Sequence, residues 1–229
     1  IGYETQKDIG NYLEFECLPT GGWGYETLQV GARYLRTLNM PVLNMSGRFH
    51  RSWGDFGGIR TKASLEYDCL YGVANCLGTT VGDHFHPRGD INYAVMDMDA
   101  AIYAKLSEIE PWCRDAEALT DMAIIMSKPY PGLDWYGENR MKLFQREWNA
   151  ICAASRMLCE LNYQFDVVSQ ASDWDKYQVL IMPDFTPLDK ENEKRIAKHL
   201  QKGGKILASA ESGLNESKDA FVFSEWGLE

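Results

Sequence analysis

Three stretches of the sequence gather side chains suited to handling a polyol. The first holds Glu16, Trp23 and Tyr25, the second Arg48, Phe49, His50, Trp53, Asp55 and Phe56, and the third Asp83, His84, Phe85, His86 and Arg88. Carboxylate, imidazole and guanidinium groups meet vicinal hydroxyls at two points, while flat indole and phenyl faces cover the C–H face of a sugar ring. Cleaving a glycosidic bond requires two carboxyl groups in different environments, one an acid and the other a base or nucleophile. Glu16 and Asp83 are the acids best placed at strand ends, and they are the candidate catalytic residues. Trp23, Arg48, His50, Trp53, Asp55, His84 and His86 are the candidate substrate contacts.

Other chemistry fits some of the same residues. A His-x-His step puts two imidazoles on one side of an extended chain, so Asp83, His84 and His86 offer a set of ligands to zinc. Hydrogen-bonding histidines in a sugar pocket are the preferred reading, and neither metal nor cofactor is expected. A carboxylate at a strand end often serves backbone N–H groups instead. Arg48, His50 and Asp55 fit an internal network that pins a long loop as well as they fit ligand contact. Glu14 shares the face of Glu16 but lies deeper in its strand, where a structural ion pair is the simpler role.

The elements that must position these residues follow from periodicity. Residues 12–17 alternate, with Leu13, Phe15 and Cys17 on one face and Glu14 and Glu16 on the other, which predicts a strand. Leu28, Ala32, Leu35 and Leu38 recur at helical spacing over residues 25–38. Residues 41–45 are the next strand, and the loop 46–61 after it exceeds the roughly 12 residues at which loops are commonly functional. Leu65, Cys69, Leu70, Val73 and Ala74 mark a helix with Gly78 as its stop signal. Residues 79–81 form a third strand. Val95, Met98, Ile102, Leu106 and Ile109 mark a helix ended by Pro111. All three polar loops therefore follow strands and converge on one rim, the ligand-binding edge of parallel α/β architectures.

The acidic, aperiodic stretch 115–121 is read as a boundary, which divides the chain into residues 1–114 and 115–229. Beyond it come a strand at Met122–Met126, a Pro, Gly and Trp loop at 128–137, a helix over 139–161, and strands at 165–168, 179–182 and 205–209. Thr186, Pro187 and Asp189 read as N-cap, first-turn proline and third-position acid of a helix that ends at Gly203 and Gly204. Runs of Val, Ile and Leu without alternation predict strands covered on both faces, hence a doubly wound parallel sheet. No GxGxxG or GxxxxGK is present to cradle a nucleotide, and no Cys follows strand 205–209 as an amidotransferase nucleophile would. The segment 212–229, with Phe221, Phe223 and Trp226, is assigned to no element.

Composition narrows the partners. In 229 residues, 33 Asp and Glu against 23 Lys and Arg give a net charge of −10, which argues against gripping nucleic acid or an anionic membrane through a basic field. Apolar runs of four or five residues fall far short of the ~20 that span a bilayer, so a soluble protein is expected, its compartment (cytoplasmic or periplasmic) undecided. Six scattered cysteines without a CxxC pair read as ordinary buried thiols. The chain opens at Ile1 without a secretory leader, which fits a piece cut from something longer.

The stretches LEFECLPTGGWGYET, MSGRFHRSWGDFGG and ASLEYDCLYGVANCLGTTVGDHFHPRG closely resemble a group of glycoside hydrolases known as hypothetical glycosyl hydrolase 6, also described as α-L-fucosidase-like or β-galactosidase-like. Residues 122 to about 214 are similar to the β-galactosidase trimerisation domain, a flavodoxin-like or class I amidotransferase-like fold. The resemblance implies an α/β protein: the last three βα units of a partial (β/α)8 barrel, then a doubly wound flavodoxin-like sheet. Barrel glycosidases of this type carry the acid/base on the fourth strand and the nucleophile on the seventh. On this count the fourth is absent, and the seventh, 41–45, ends in Ser46, Gly47 and Arg48 without a carboxylate. Glu16, on the sixth, is the substitute. The implied function is that of a glycosidase fragment acting on O-glycosidic bonds, fucosidase- or galactosidase-like, inactive alone and homo-oligomeric. The alternative is a non-catalytic carbohydrate-binding or oligomerisation module.

Overall fold

The computed structural model describes residues 3–126 and 138–226. The chain divides into two compact units, one formed by Gly10–Ala118 and the other by Ile1–Ile9 with Leu119–Glu229. Each holds one parallel sheet. The elements in chain order begin with the short helix α1 (Tyr3–Gln6) and continue with β1 (Leu13–Glu16), α2 (Tyr25–Leu35), β2 (Val42–Gly47), α3 (Lys62–Ala74), β3 (Gly78–Gly82) and α4 (Tyr93–Cys113).

In the first unit the strands lie in the order β1, β2, β3, all parallel. Leu13 and Phe15 are buried while Glu14 is exposed, so the alternation read from sequence is the burial pattern of β1. The register sets Glu16 beside Met45, Ser46 beside Val81 and Gly47 beside Gly82. Two further bonds, Cys17 N–H to Met45 O (2.8 Å) and Arg48 N–H to Gly82 O (3.0 Å), carry the pairing past the strand ends. The three strands thus finish nearly level, and the loops after them leave from one edge. β2 runs two residues further than periodicity suggested, because Ser46 and Gly47 are paired with β3.

The helices are held by their apolar stripes and caps. Leu65 and Cys69 of α3 pack with Ile102 and Leu106 of α4, with Val81 of β3 against them. Thr61 and Asn92 cap α3 and α4, accepting from Ser64 N–H (3.3 Å) and Ala94 N–H (3.1 Å). Two expected stops differ. Gly78 does not end α3; it is the first residue of β3. The left-handed position falls on Cys76 (φ 66°), where Cys76 N–H to Val73 O and Leu77 N–H to Gly72 O, both 3.0 Å, close a Schellman turn. Pro111 does not end α4, which continues to Cys113. The proline sits in the last turn, where its missing N–H costs a single bond and Arg114 N–H still reaches Glu110 O (2.9 Å).

The second unit adds β4 (Met122–Met126), α5 (Glu138–Glu160), β5 (Asp166–Ser169), β6 (Val179–Met182), α6 (Lys190–Gln201) and β7 (Lys205–Ala208). The parallel strands are ordered β5, β4, β6, β7. β4, β5 and β6 are buried along nearly their whole length, but β7 is an exposed edge, with Leu207 open to solvent. The apolar run at β7 is therefore not covered on both faces, contrary to expectation. Ala123, Ile125, Val168, Leu180, Met182 and Ile196 form the core with Trp174 and Tyr177, and Val222, Phe223 and Trp226 pack against it, which places the tail the sequence left unassigned. The N-cap of α6 is Asp189, accepting from Asn192 N–H at 2.7 Å, and not Thr186. Thr186 is buried upstream, its N–H held by Ser212 Oγ (3.2 Å). The loop expected at 128–137 lies outside the described residues.

Candidate functional site

The loops leaving β2 and β3 meet around Arg48. Its side chain is buried, and its guanidinium is shared four ways. Nε donates to Asp83 Oδ1 (2.5 Å), Nη1 to the carbonyls of Gly58 (2.6 Å) and Phe56 (3.3 Å), and Nη2 to His84 Nδ1 (3.2 Å). A guanidinium only donates, so His84 Nδ1 accepts, and the ring proton sits on Nε2, which donates to Trp53 O at 2.5 Å. One residue thereby fixes the tautomer of His84 and ties the 48–60 loop back to the end of β3. Asp83 Oδ1 also accepts His84 N–H (2.7 Å).

Above this lattice is an aromatic floor. Phe56 stacks on His84 with centroids 4.1 Å apart and planes 6° apart, and Phe49 lies 4.7 Å from Trp53 and 5.2 Å from His84. Trp53 reaches across to β1, where its indole N–H donates to Glu16 Oε1. Gly82 makes room for that reach: a Cβ there would come within 2.6 Å of the Trp53 ring. Five of the residues singled out in sequence, Glu16, Arg48, Trp53, Asp83 and His84, are thus joined in one connected group.

The other four line the same edge outside that group. Trp23 is about half exposed, and its carbonyl accepts Thr27 Oγ1 (2.7 Å). His50 is exposed. Asp55 closes a local turn by accepting Arg51 N–H (3.2 Å). His86 belongs to an exposed turn in which its Nδ1 accepts Arg88 N–H (3.3 Å) and its own N–H bonds Asp90 O (3.2 Å). Among the described residues, no group of three or more His, Cys, Asp or Glu is arranged to hold a metal ion.

Beneath the rim lies a buried polar network that the sequence reading did not identify. Arg60 and Asp68 pair at 2.6 Å, each side chain 1% exposed, and Ser46 Oγ joins both, donating to Asp68 at 2.7 Å and accepting from Arg60 at 2.8 Å. Asn44 Nδ2 donates to the Asp68 carbonyl (3.0 Å), and Arg60 N–H to the Arg48 carbonyl (2.9 Å) closes the neck of the loop. Burial, then the Asp68 charge, pushes the Cys17 thiol far above its ordinary range. A second acid, Asp99 on α4, is also raised, up to about 6, by burial and then by Asp83, with Arg48 opposing. The sequence signal for both acids was their phase: Asp68 shares the buried stripe of Leu65, Cys69 and Gly72, and Asp99 that of Val95, Ile102 and Leu106.

Comparison with known proteins bears on this geometry. Residues 145–227 match the family model for the β-galactosidase trimerisation domain. α-L-Fucosidase isoenzyme 2 from Paenibacillus thiaminolyticus superposes over 97% of this chain and 33% of its own, with TM-score 0.83 and 32% identity. The chain is related to glycoside hydrolases. Gan42B, a GH42 β-galactosidase from G. stearothermophilus, shares the fold over 97% of this chain and 36% of its own, with TM-score 0.73 at 13% identity. β-Galactosidase BbgII from Bifidobacterium bifidum is 31% identical over 64 residues, 28% of this chain and 9% of that protein. This glycoside hydrolase relative spans about a third of the length of the solved structures it matches. None of its described helices is long and apolar enough to cross a membrane.

Proposed function

We propose that residues 1–114 are the last three βα units of a (β/α)8 glycosidase barrel and residues 115–229 a flavodoxin-like trimerisation domain, in a protein that acts on O-glycosidic bonds of the fucosidase or galactosidase kind. The observation that carries this reading is the connected rim itself: a carboxylate, an aromatic floor and an arginine-anchored imidazole at the C-terminal ends of adjacent parallel strands. The order β5, β4, β6, β7 supports the second assignment, since it is the 2-1-3-4 part of the flavodoxin-like order.

Within the rim, Glu16 and Asp83 carry out acid and base work or hold sugar hydroxyls, and they do so unequally. Asp83 spends one oxygen on Arg48 and on its neighbour's N–H, so its first duty is to orient. Glu16 is held by a single indole donor at the end of β1, which leaves it acceptor capacity for a hydroxyl. Trp23 and Trp53 supply stacking faces and His50, Asp55 and His86 hydroxyl contacts, while Arg48 and His84, whose polar atoms are already engaged, hold the loops that carry them. Two carboxyl groups in distinct environments are needed for hydrolysis, and three barrel strands give the sugar only part of its enclosure. The 229-residue chain is accordingly expected to give no turnover of aryl α-L-fucosides or β-D-galactosides. Measurable release of the aryl group by the purified chain, lost on Glu16→Gln, would show that this part of a barrel suffices.

A second reading, a carbohydrate-binding or oligomerisation module without catalysis, is favoured by the prior engagement of both acids and by the trimerisation-domain match. Both readings expect a homo-oligomer, and a clean monomer in light scattering would contradict that part of them. They separate on whether a longer form of the protein, tested for hydrolysis, loses activity with Glu16→Gln.

A further inference from the structure

Two exposed aromatic rings stand on the rim of the first unit, Phe56 at 56% and Trp53 at 40% of full exposure. Each is nonetheless held from behind. Phe56 lies face to face on His84, with centroids 4.1 Å apart and planes 6° apart. Its carbonyl accepts from both Nη1 and Nη2 of Arg48 at 3.3 Å, and Nη2 also donates to His84 Nδ1 at 3.2 Å. One buried guanidinium therefore fixes both the backbone of Phe56 and the imidazole that backs its ring. Trp53 rests against the buried Phe49, centroids 4.7 Å apart, and its indole N–H is engaged by Glu16 Oε1. Apolar surface left in water contributes nothing to folding, so fixing it serves the fold little. A ligand, by contrast, meets both rings already ordered.

The orientation of the two rings bears on the size of that ligand. His84 contacts both, parallel to Phe56 and at 75° to Trp53, whose centroid is 6.2 Å away. The planes of Phe56 and Trp53 therefore stand within 6° of 75° to one another. The C–H groups with which a pyranose packs on an aromatic ring lie on one face of the sugar, so a single pyranose lies flat on one of these rings and not on both. Two rings joined through one oxygen turn about that linkage and can meet two faces set nearly at right angles.

We propose that the rim takes an O-glycoside of two rings, with the sugar beside Glu16 lying on Trp53 and the ring across the glycosidic oxygen lying on the open face of Phe56. Phe56 is then a specificity-determining contact. Its ring carries no polar atom, so it selects for an apolar face on the second ring, sugar or aryl, and not for a pattern of hydroxyls. The proposal rests on the reading of the rim as a sugar site and adds to it the extent of the ligand.

The test titrates the full chain, by NMR, with the methyl and phenyl glycosides of β-D-galactose and α-L-fucose and with lactose. A two-ring ligand is expected to bind about 3- to 10-fold more tightly than the methyl glycoside of the same sugar. Phe56→Ala should abolish that gain while leaving the affinity for the methyl glycoside unchanged, and Phe56→Tyr should keep it. A gain seen with the phenyl glycoside alone identifies an aryl ring as the occupant and a gain with lactose a second sugar, and either supports the proposal. Equal binding of one-ring and two-ring ligands overturns it, as does a Phe56→Ala chain that loses affinity for both alike; in those outcomes the methyl glycoside still binds and the sugar-site reading stands. If no glycoside moves any rim signal, that reading fails and the proposal with it. Should Phe56→Ala not fold, the Phe56 ring protons of the unsubstituted chain decide. Shifts on adding a two-ring ligand but not a methyl glycoside support the second ring's place, and equal shifts or none refute it.

Discussion

The two units treat their buried polar groups differently. In the second, the buried carboxylate of Asp166 is saturated, accepting from Thr120 Oγ1 (2.8 Å), Tyr177 OH (2.8 Å) and Lys176 Nζ (3.1 Å). Arg195 likewise clamps the carbonyls of Gln170 and Ser172 while lying 3.6 Å from the Trp174 ring centroid. These groups tie the chain to itself and leave little over. Among the described residues, Asn44 on β2, Asp68 on α3, Asp99 on α4 and Gln29 on α2 of the first unit each keep an enclosed oxygen without a partner, against Ser155 Oγ on α5 of the second. Enclosed polar atoms left unsatisfied are uncommon and costly, so the first unit carries more of that cost than the second.

The sharpest way to break this contrast is to remove one acid from each unit. Asp68→Ala leaves Arg60 buried and uncompensated and is expected to cost about 3–5 kcal/mol in urea unfolding. Asp166→Ala is expected to cost less, roughly 1–3 kcal/mol, because Lys176 is more than half exposed and returns to water. Equal losses would mean that the two networks are of one kind.

Helix caps give a smaller test of the same difference. Asp189 accepts its N–H at 2.7 Å, and Asp189→Ala should cost about 1 kcal/mol. Thr61 accepts at 3.3 Å at the mouth of the rim, and Thr61→Ala should cost about 0.5 kcal/mol. The reverse order would say that the rim's helices lean on their caps more than the second unit's do.

Much of the scaffold was legible because burial imposes periodicity. The alternation at Leu13 and Phe15 and the helical spacing from Leu65 to Cys69 are direct records of which side faces the core. The boundaries were less legible where tertiary contacts choose between equivalent local signals. Thr186 and Asp189 are both good N-caps, but the N–H of Thr186 donates to Ser212 Oγ, 26 residues away, and Asp189 caps the helix. A left-handed Cys76 carries no compositional mark, while the nearby Gly78 carries a misleading one.

At the site, residue types were legible and partnerships were not. Nothing in the spacing of Glu16 and Trp53, 37 positions apart, says that the indole reaches the carboxylate. Asp68 and Asp99 carry none of the signals of a polar loop, because these acids sit in phase with apolar helix stripes.

The central claim, that the strand-end rim of the first unit is a sugar site, is tested most directly at the Trp53 indole N–H, which donates to Glu16. In an NMR titration with L-fucose or D-galactose, the account predicts that this indole resonance shifts saturably, together with the backbone signals of Glu16, Asp83 and His84, and that Glu16→Gln weakens the response. Unmoved rim signals at high sugar concentration, or shifts confined to the second unit, would contradict it.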